Sequence, residues 1–210
     1  MSVSTAVFQQ GKRMRFLWLA VPLLLMPILL VQSAWSPEAL PRQVLEFMGA
    51  AFIITCVAGR CLASLYIGGR KNRELITDGP YKYTRNPLYF FSSLGLAGIG
   101  LTFGSLAIAA CYFLFGYLVF AYVSARESIA LDGLFGEAYR KYCREVPAFF
   151  PRLRRSADDG GGAQASLTFD PTALKRTAID SSCFLLAIPG SEVIESLQLA
   201  KLLKPMLHLF

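Results

Sequence analysis

The stretch GPYKYTRNPLYFF, residues 79–91, interrupts an otherwise apolar sequence with tyrosines, prolines, basic side chains and an asparagine. The preceding Asp78 joins Gly79 and Pro80 in a strong turn signal. Pro87 disfavours helical geometry at the residue before it, and proline is favoured in the first turn of a helix. We therefore predict a helix that begins at about Pro87, with Asn86 at its N-cap, where an amide would lie beside unpaired backbone N–H groups.

The composition on either side of this stretch indicates an integral membrane protein. The chain has 210 residues, of which 54% are hydrophobic and only 17% charged, whereas soluble domains average roughly 25% charged residues. The mean hydropathy is +0.46. Because about 20 apolar residues cross a bilayer as a helix, four spans are predicted: 16–34, 44–69, 88–103 and 105–125.

Only Gly104 separates the last two predicted spans, so these spans should form a tight helical hairpin. The fold class is therefore an all-α integral membrane bundle of about four transmembrane helices, with a domain over residues 1–155. Glycine, alanine and aspartate predict a flexible linker at 156–171. The remainder, 172–210, is predicted to be an amphipathic or poorly ordered tail. Its apolar run 178–190 is too short to span, and residues 191–210 are typical of a helix whose apolar side chains could lie on the bilayer surface.

Charge distribution predicts the orientation of these spans. Lys12, Arg13 and Arg15 precede the first span without any acid, and basic side chains outnumber acidic ones in 70–87 and 126–155. By the positive-inside rule, all three regions face the cytoplasm. The net charge of +7 is then explained by topology and by contact with anionic membrane lipids, and nucleic acid is not an expected partner.

Histidine and cysteine offer little for metal chemistry. The sole histidine, His208, lies in the tail, and the five cysteines show no spacing typical of a metal site. We expect no metal centre and no Ser-His triad.

A second polar segment, 124–142, follows the fourth predicted span. It contains Glu127, and helical spacing places Phe135, Tyr139 and Tyr142 on one face. Because the predicted hairpin returns the chain to the same membrane face, Glu127 should emerge beside Asn86. Taken singly, the two polar motifs could be an aromatic interfacial belt and a helix resting on lipid; their convergence favours a site.

Arg60 lies within the second predicted span. A charge at that position is costly in a bilayer and is by default a functional candidate. The alternative is that its side chain snorkels to the nearby membrane surface.

The order of these motifs resembles the isoprenylcysteine carboxyl methyltransferase family, which is related to the membrane phospholipid methyltransferases. The resemblance covers about residues 55–151 and rests on G-P-Y, R-N-P-x-Y, a hairpin, an acidic residue and F-G-x-x-Y-x-x-Y before a closing proline motif. It implies a cytoplasmic pocket for S-adenosyl-L-methionine, built from the hairpin ends and the following segment.

The resemblance also implies roles for particular residues. Cofactor binding is expected at eight positions: Tyr81, Arg85, Asn86, Pro87, Tyr89, Glu127, Tyr139 and Tyr142. Arg60 is the expected catalytic residue, holding the acceptor. The chain departs from the family at Asn86, where histidine is common, at Arg126, where a first acid is expected, and at Ala148, where arginine is common.

The expected function is methyl transfer to a carboxylate of a lipid-like or isoprenylcysteine-like small molecule. An ionised carboxylate needs no general base, whereas an amine must first lose a proton. Phospholipid amine N-methylation and a noncatalytic membrane scaffold remain the alternatives.

Overall fold

Helices dominate the computed structural model of the chain, which describes residues 27–68, 74–152 and 170–202 and the backbone of 207–209. The six main helices are α1 (Leu40–Ile67), α2 (Pro87–Thr102), α3 (Leu106–Phe135), α4 (Glu137–Glu145), α5 (Pro171–Ser182) and α6 (Ala187–Leu199). A single turn of 3-10 helix, Gly79–Lys82, precedes α2, and another, Cys183–Leu186, joins α5 to α6. The predicted all-α membrane fold class is confirmed.

Within the described residues, three helical stretches are long and apolar enough to cross a membrane: α1, α3 and the continuous run Pro171–Leu199. Helix α2 is equally apolar but has only 16 residues. Most of the predicted first span, 16–34, and residues 156–169 of the predicted linker 156–171 lie outside the described residues. Of that span, residues 27–30 are helical, but β1 (Val31–Ser33) is extended and pairs in parallel with β2 (Leu207–Leu209). The last two residues of the predicted linker, Asp170 and Pro171, are the N-cap and the first residue of α5.

The C-terminal run differs from the sequence-based expectation. The apolar stretch 178–190 is not an isolated short segment, because α5, the 3-10 turn and α6 join into 29 residues. Pro189 does not end this run, since proline is tolerated in the first turn of a helix and α6 begins at Ala187. Asp170 caps α5 by accepting hydrogen bonds from the backbone N–H groups of Thr172 and Ala173.

Small residues let α1, α2 and α3 approach closely. A Cβ atom on Gly98 of α2 would lie 2.9 Å from the carbonyl oxygen of Gly49 in α1. A Cβ atom on Gly100 would lie 2.3 Å from the backbone nitrogen of Ala109 in α3. Because neither helix could keep its position with a larger residue there, these glycines are packing residues of the bundle.

The turn between α2 and α3 fixes their antiparallel order. Gly104 adopts a φ of +66°, which glycine tolerates without steric cost. The Ser33 hydroxyl donates to its carbonyl oxygen at 2.9 Å, and Ser105 caps α3 by accepting from the N–H of Ile108. The other ends of the two helices, near Pro87 and Glu127, therefore lie together.

The run α5–α6 lies antiparallel along α1. At one end, the Ser64 hydroxyl is 2.9 Å from the Thr177 hydroxyl. At the other end, the buried Arg42 forms ion pairs with Glu46 and with Glu195 of α6. The C-terminal run is thus held against α1 by polar contacts near both of its ends.

Replacing Gly98 by alanine should destabilise the bundle. The added methyl group meets the backbone of α1, and overpacking of this kind costs about 1–3 kcal/mol. Gly133→Ala is the matched control, because nothing lies within 4 Å of a Cβ atom there and alanine favours helix over glycine by up to ~1 kcal/mol. Thermal unfolding in detergent should give a lower midpoint for Gly98→Ala and an equal or higher one for Gly133→Ala. An unchanged midpoint for Gly98→Ala would refute the close α1–α2 contact.

Candidate active site

The segment 83–86 that leads into α2 is bound to the chain that follows α4. The Arg85 N–H donates to the Pro147 carbonyl at 2.9 Å, and the Arg152 N–H donates to the Tyr83 carbonyl at 3.0 Å. The buried Thr84 hydroxyl donates to the Phe149 carbonyl at 2.9 Å. These contacts satisfy backbone groups of two irregular segments at the end of an apolar bundle, where unpaired groups are costly.

Asn86 occupies the predicted N-cap of α2, and the helix begins at Pro87 as predicted. Its amide nitrogen donates to the Ser124 hydroxyl at 2.7 Å and to the Ala148 carbonyl at 2.8 Å. An asparagine amide has two N–H donors, so both are committed to the protein. Asn86 therefore joins the start of α2 to α3 and to the closing segment, and its side-chain oxygen remains an acceptor.

Glu127 lies beside the same end of α2. Its carboxylate accepts a hydrogen bond from the Tyr89 hydroxyl at 2.8 Å, while the Tyr89 ring stacks on Phe120 with centroids 5.0 Å apart. The hairpin thus brings Asn86 and Glu127 to the same end of the bundle, which we call the rim. Ser124, the partner of Asn86 on α3, precedes Glu127 by three residues, less than one helical turn.

Tyr81 is buried beneath this rim, and its hydroxyl has no hydrogen-bond partner among the described residues. Burial raises the pKa of Tyr81, and the nearby negative charge of Glu127 adds to the increase. The hydroxyl therefore stays protonated near neutral pH and can donate a hydrogen bond. A buried donor without a partner is expensive and is a candidate contact for a bound polar group.

Helix α4 supports Tyr81 from below. The Tyr142 hydroxyl donates to the Tyr81 carbonyl at 2.6 Å, and the Tyr139 hydroxyl donates to Ser128 at 2.8 Å. Both tyrosines are buried, and burial raises the pKa of Tyr142. Phe135 does not share their helix, because Gly136 separates α3 from α4 with a φ of +51°; the single continuous face predicted for the three aromatic residues is wrong.

Arg85 contacts α4 through its side chain. One terminal nitrogen donates to the Cys143 sulfur at 2.7 Å, whereas the buried Nε has no partner within the described part of the chain. Arg85 is a second unsatisfied donor on the same side of the bundle as Tyr81.

Arg60 is placed apart from this cluster, deeper along the bundle. It lies seven residues before the end of α1, or ~10 Å at 1.5 Å per residue. Its Nε donates to the Ser181 hydroxyl of α5 at 2.7 Å, and a terminal nitrogen donates to the Ser92 hydroxyl of α2. The guanidinium is therefore held between helices by neutral groups and does not snorkel to the end of α1.

Several residues of the site escaped sequence reasoning. Four of them have short polar side chains that form no motif of their own in the sequence, yet each makes a hydrogen bond at this rim: Thr84, Ser124, Ser128 and Cys143. Phe149 had a visible signal, the Phe149–Phe150 pair before Pro151. Its ring packs edge-on against Tyr117, with centroids 4.8 Å apart.

The arrangement offers complementary groups to a small molecule that carries both an ammonium and hydrogen-bond acceptors. Glu127 supplies a carboxylate, and Tyr81 and Arg85 supply buried donors without partners. The donor set fits the amino-acid portion of S-adenosyl-L-methionine. Within the described residues, no cluster of histidine, cysteine, aspartate or glutamate could hold a metal ion.

Comparison with known proteins gives a family match over more than half of the chain. The profile of the phospholipid methyltransferase family matches residues 16–138. That range contains α1 to α3, Arg60 and the segment 79–91, but not α5 or α6. No solved structure matches.

Three curated relatives are similar to the chain. The cobalt-zinc-cadmium resistance protein CzcN of Cupriavidus metallidurans is 34% identical over 179 residues, 85% of this chain and 78% of the relative. The nickel-cobalt-cadmium resistance protein NccN of Alcaligenes xylosoxydans xylosoxydans is 35% identical over 133 residues, 63% of this chain and 62% of the relative. The protein-S-isoprenylcysteine O-methyltransferase of Schizosaccharomyces pombe is 26% identical over 89 residues, 41% of this chain and 38% of the relative.

Removing the Tyr142 hydroxyl should loosen the support of Tyr81. Tyr142→Phe leaves the buried Tyr81 carbonyl without its donor, a loss of about 1–3 kcal/mol. The control is Tyr122→Phe, because the Tyr122 side chain is 65% exposed. In detergent, Tyr142→Phe should unfold several degrees earlier and exchange the amide hydrogens of 79–85 faster, and Tyr122→Phe should behave as wild type. Equal exchange in both variants would contradict the docking of α4 on this segment.

Proposed function

The chain belongs to the phospholipid methyltransferase family, and from that premise we propose that it is an S-adenosyl-L-methionine-dependent methyltransferase of the membrane. The single observation that carries the proposal is the convergence of segment 79–91 with Glu127 and α4 at one rim of the bundle. Metal resistance, in the names of two relatives, describes a process and no reaction. The reaction is therefore argued from the site.

In this proposal the rim binds the cofactor. Glu127 attracts its ammonium group, and the Tyr81 hydroxyl and Arg85 Nε donate to its acceptor atoms. Asn86, Pro87 and Tyr89 hold the first turn of α2 in place, while Tyr139 and Tyr142 fix the floor. When bound, the cofactor supplies a methyl group on a sulfonium centre, an electrophile that is already activated.

The acceptor is proposed to be a carboxylate on a lipid-like or isoprenylcysteine-like molecule. A carboxylate is ionised at neutral pH and needs no base, so the protein contributes position and exclusion of water. The tyrosines of the rim are poor bases because burial raises the pKa values of Tyr81 and Tyr142 further above neutrality. Arg60 would hold the acceptor carboxylate from within the bundle.

Phospholipid amine N-methylation is the second candidate, and the family description favours it. It would need a base for the ammonium, and the group placed to act is Glu127, which accepts a hydrogen bond from Tyr89. A noncatalytic scaffold that keeps the fold is the remaining alternative. From the positive-inside pattern we expect the rim on the cytoplasmic side in every case.

Cofactor binding is tested by calorimetry with S-adenosylhomocysteine on the full chain in detergent. Wild type should bind, and Glu127→Gln should weaken binding about tenfold or more, because a charge-assisted contact contributes roughly 1.5–3 kcal/mol. Glu137→Gln is the control, since that exposed side chain pairs only with Arg144 among the described residues. The absence of heat from wild type at millimolar ligand would favour the scaffold.

The product distinguishes the two enzymatic candidates. After incubation of membranes with cofactor labelled in its methyl group, a carboxyl ester should release the label as methanol in mild base. An N-methyl group would survive the same treatment. Label that is base-stable and recovered in phospholipid headgroups would reject the carboxylate acceptor in favour of the amine.

A further inference from the structure

Arg60 carries a charge inside the bundle with only neutral partners. The contacts of its guanidinium among the described residues are the hydroxyls of Ser92 and Ser181, and no described carboxylate pairs with it. A guanidinium has five N–H donors, so most of them remain available after these two contacts. A half-buried cation without a counter-ion is costly in a bilayer, and an anionic ligand would remove that cost.

One of the two partners of Arg60 comes from outside the family-matched region. Ser181 is fully buried in α5, and the family profile ends at residue 138. The Ser181 hydroxyl fixes Nε, the nitrogen nearest the flexible stem, while Ser92 fixes a terminal nitrogen from α2. Two anchors on different helices hold the plane of the guanidinium, and the free N–H groups keep a defined direction.

The position of Arg60 along the bundle axis suits the proposed reaction. Ser92 lies three residues beyond Tyr89 on α2, or ~4.5 Å along the helix axis. Tyr89 contacts Glu127 at the rim. An anion held by Arg60 would therefore lie just below the proposed cofactor site, at a depth that an acceptor with an apolar tail can reach from the membrane.

We propose that α5 completes the acceptor site, with Ser181 as a positioning residue that directs Arg60 toward an anionic oxygen headgroup, carboxylate or phosphate, on an apolar chain. This inference rests on the proposed function for its biological meaning but not for its test. It predicts that acceptor choice depends on the C-terminal helix, which the family profile does not include.

The test measures anion binding directly. Oleate labelled with carbon-13 at its carboxyl group is titrated into the purified full chain in neutral detergent and followed by nuclear magnetic resonance. Wild type should bind oleate saturably, and Arg60→Gln should abolish that binding. Ser181→Ala should weaken it roughly fivefold, the change expected from losing one hydrogen bond of ~1 kcal/mol.

Two matched variants separate positioning from docking of the helix. Thr177→Val removes one of the two hydrogen bonds between Ser64 and α5, leaving the longer one to the Ala173 carbonyl, and does not touch Arg60. Ser182→Ala alters an exposed hydroxyl that bonds within its own helix. Both should bind oleate as wild type does. If Thr177→Val weakens binding as much as Ser181→Ala, the contact serves only to dock α5, and the proposal is overturned.

Competing ligands define the headgroup. Displacement of oleate by dioleoyl phosphatidic acid would extend the site to phosphate, and failure to displace it would restrict the site to carboxylates. In both cases the proposal requires that oleate binding depend on Ser181 as well as on Arg60, and binding that depends on Arg60 alone would overturn it. Oleyl alcohol should not displace oleate. Equal displacement by the alcohol, or wild-type oleate binding in Arg60→Gln, would overturn the proposal.

Calorimetry with S-adenosylhomocysteine on the same samples keeps the two hypotheses separate. Cofactor affinity should be unchanged in Arg60→Gln and Ser181→Ala, because neither residue contacts the rim. If wild type binds oleate but not S-adenosylhomocysteine, methyl transfer is rejected and the anion site is retained. If wild type binds S-adenosylhomocysteine but oleate binds equally well to wild type, Arg60→Gln and Ser181→Ala, only the anion site is rejected.

Discussion

The structure depends on how two irregular segments satisfy their polar groups at the end of an apolar bundle. Residues 83–86 and 147–152 exchange backbone hydrogen bonds in both directions, and Thr84 and Asn86 add side-chain contacts to the same set. At a membrane rim such groups would otherwise compete for water in a region that is poor in it. Mutual pairing fixes the start of α2. The position of α2 in turn sets the hydrogen bond between Tyr89 and Glu127.

The same constraint explains why proline is frequent here. Pro80 and Pro87 lack a backbone donor where a helical turn begins, and Pro147 lacks one just after α4 has ended. Pro151 lacks one farther along the same closing segment. Fewer donors then need partners, and the remaining ones are paired across the two segments. The backbone of the rim therefore has few alternative hydrogen-bonding arrangements.

Sequence reasoning located this rim because its signals are local. A turn sequence, a proline at the first position of a helix and the single glycine between two apolar runs each act over a few residues. Together these signals predict that Asn86 and Glu127 lie at the same end of the bundle. The partners of Asn86 could not be predicted in this way, since Ser124 and the Ala148 carbonyl are unremarkable in sequence and become partners only through tertiary packing.

The C-terminal run was harder to predict for a physical reason. Proline and serine at 189–191 resemble a boundary between two short segments, and the polar residues of α5 suggest a surface helix. In the structure two of those polar residues face α1 instead, since Ser181 meets Arg60 and Thr177 meets Ser64. The charged residues of α5, Lys175, Arg176 and Asp180, are exposed. A helix whose polar side chains pair with another helix inside a membrane can be less apolar than one facing lipid on all sides.

Arg60 and Glu127 divide the proposed chemistry by depth. The carboxylate lies at the rim, where a water-soluble cofactor arrives, and the guanidinium lies deeper, where an acceptor with an apolar tail arrives. A soluble carboxylate would have to leave water to reach Arg60, whereas a membrane-borne one already lies at that level. Depth alone would then select lipid-like acceptors before any contact with their tails is made, and α5 would refine the choice through the orientation of a single charged group.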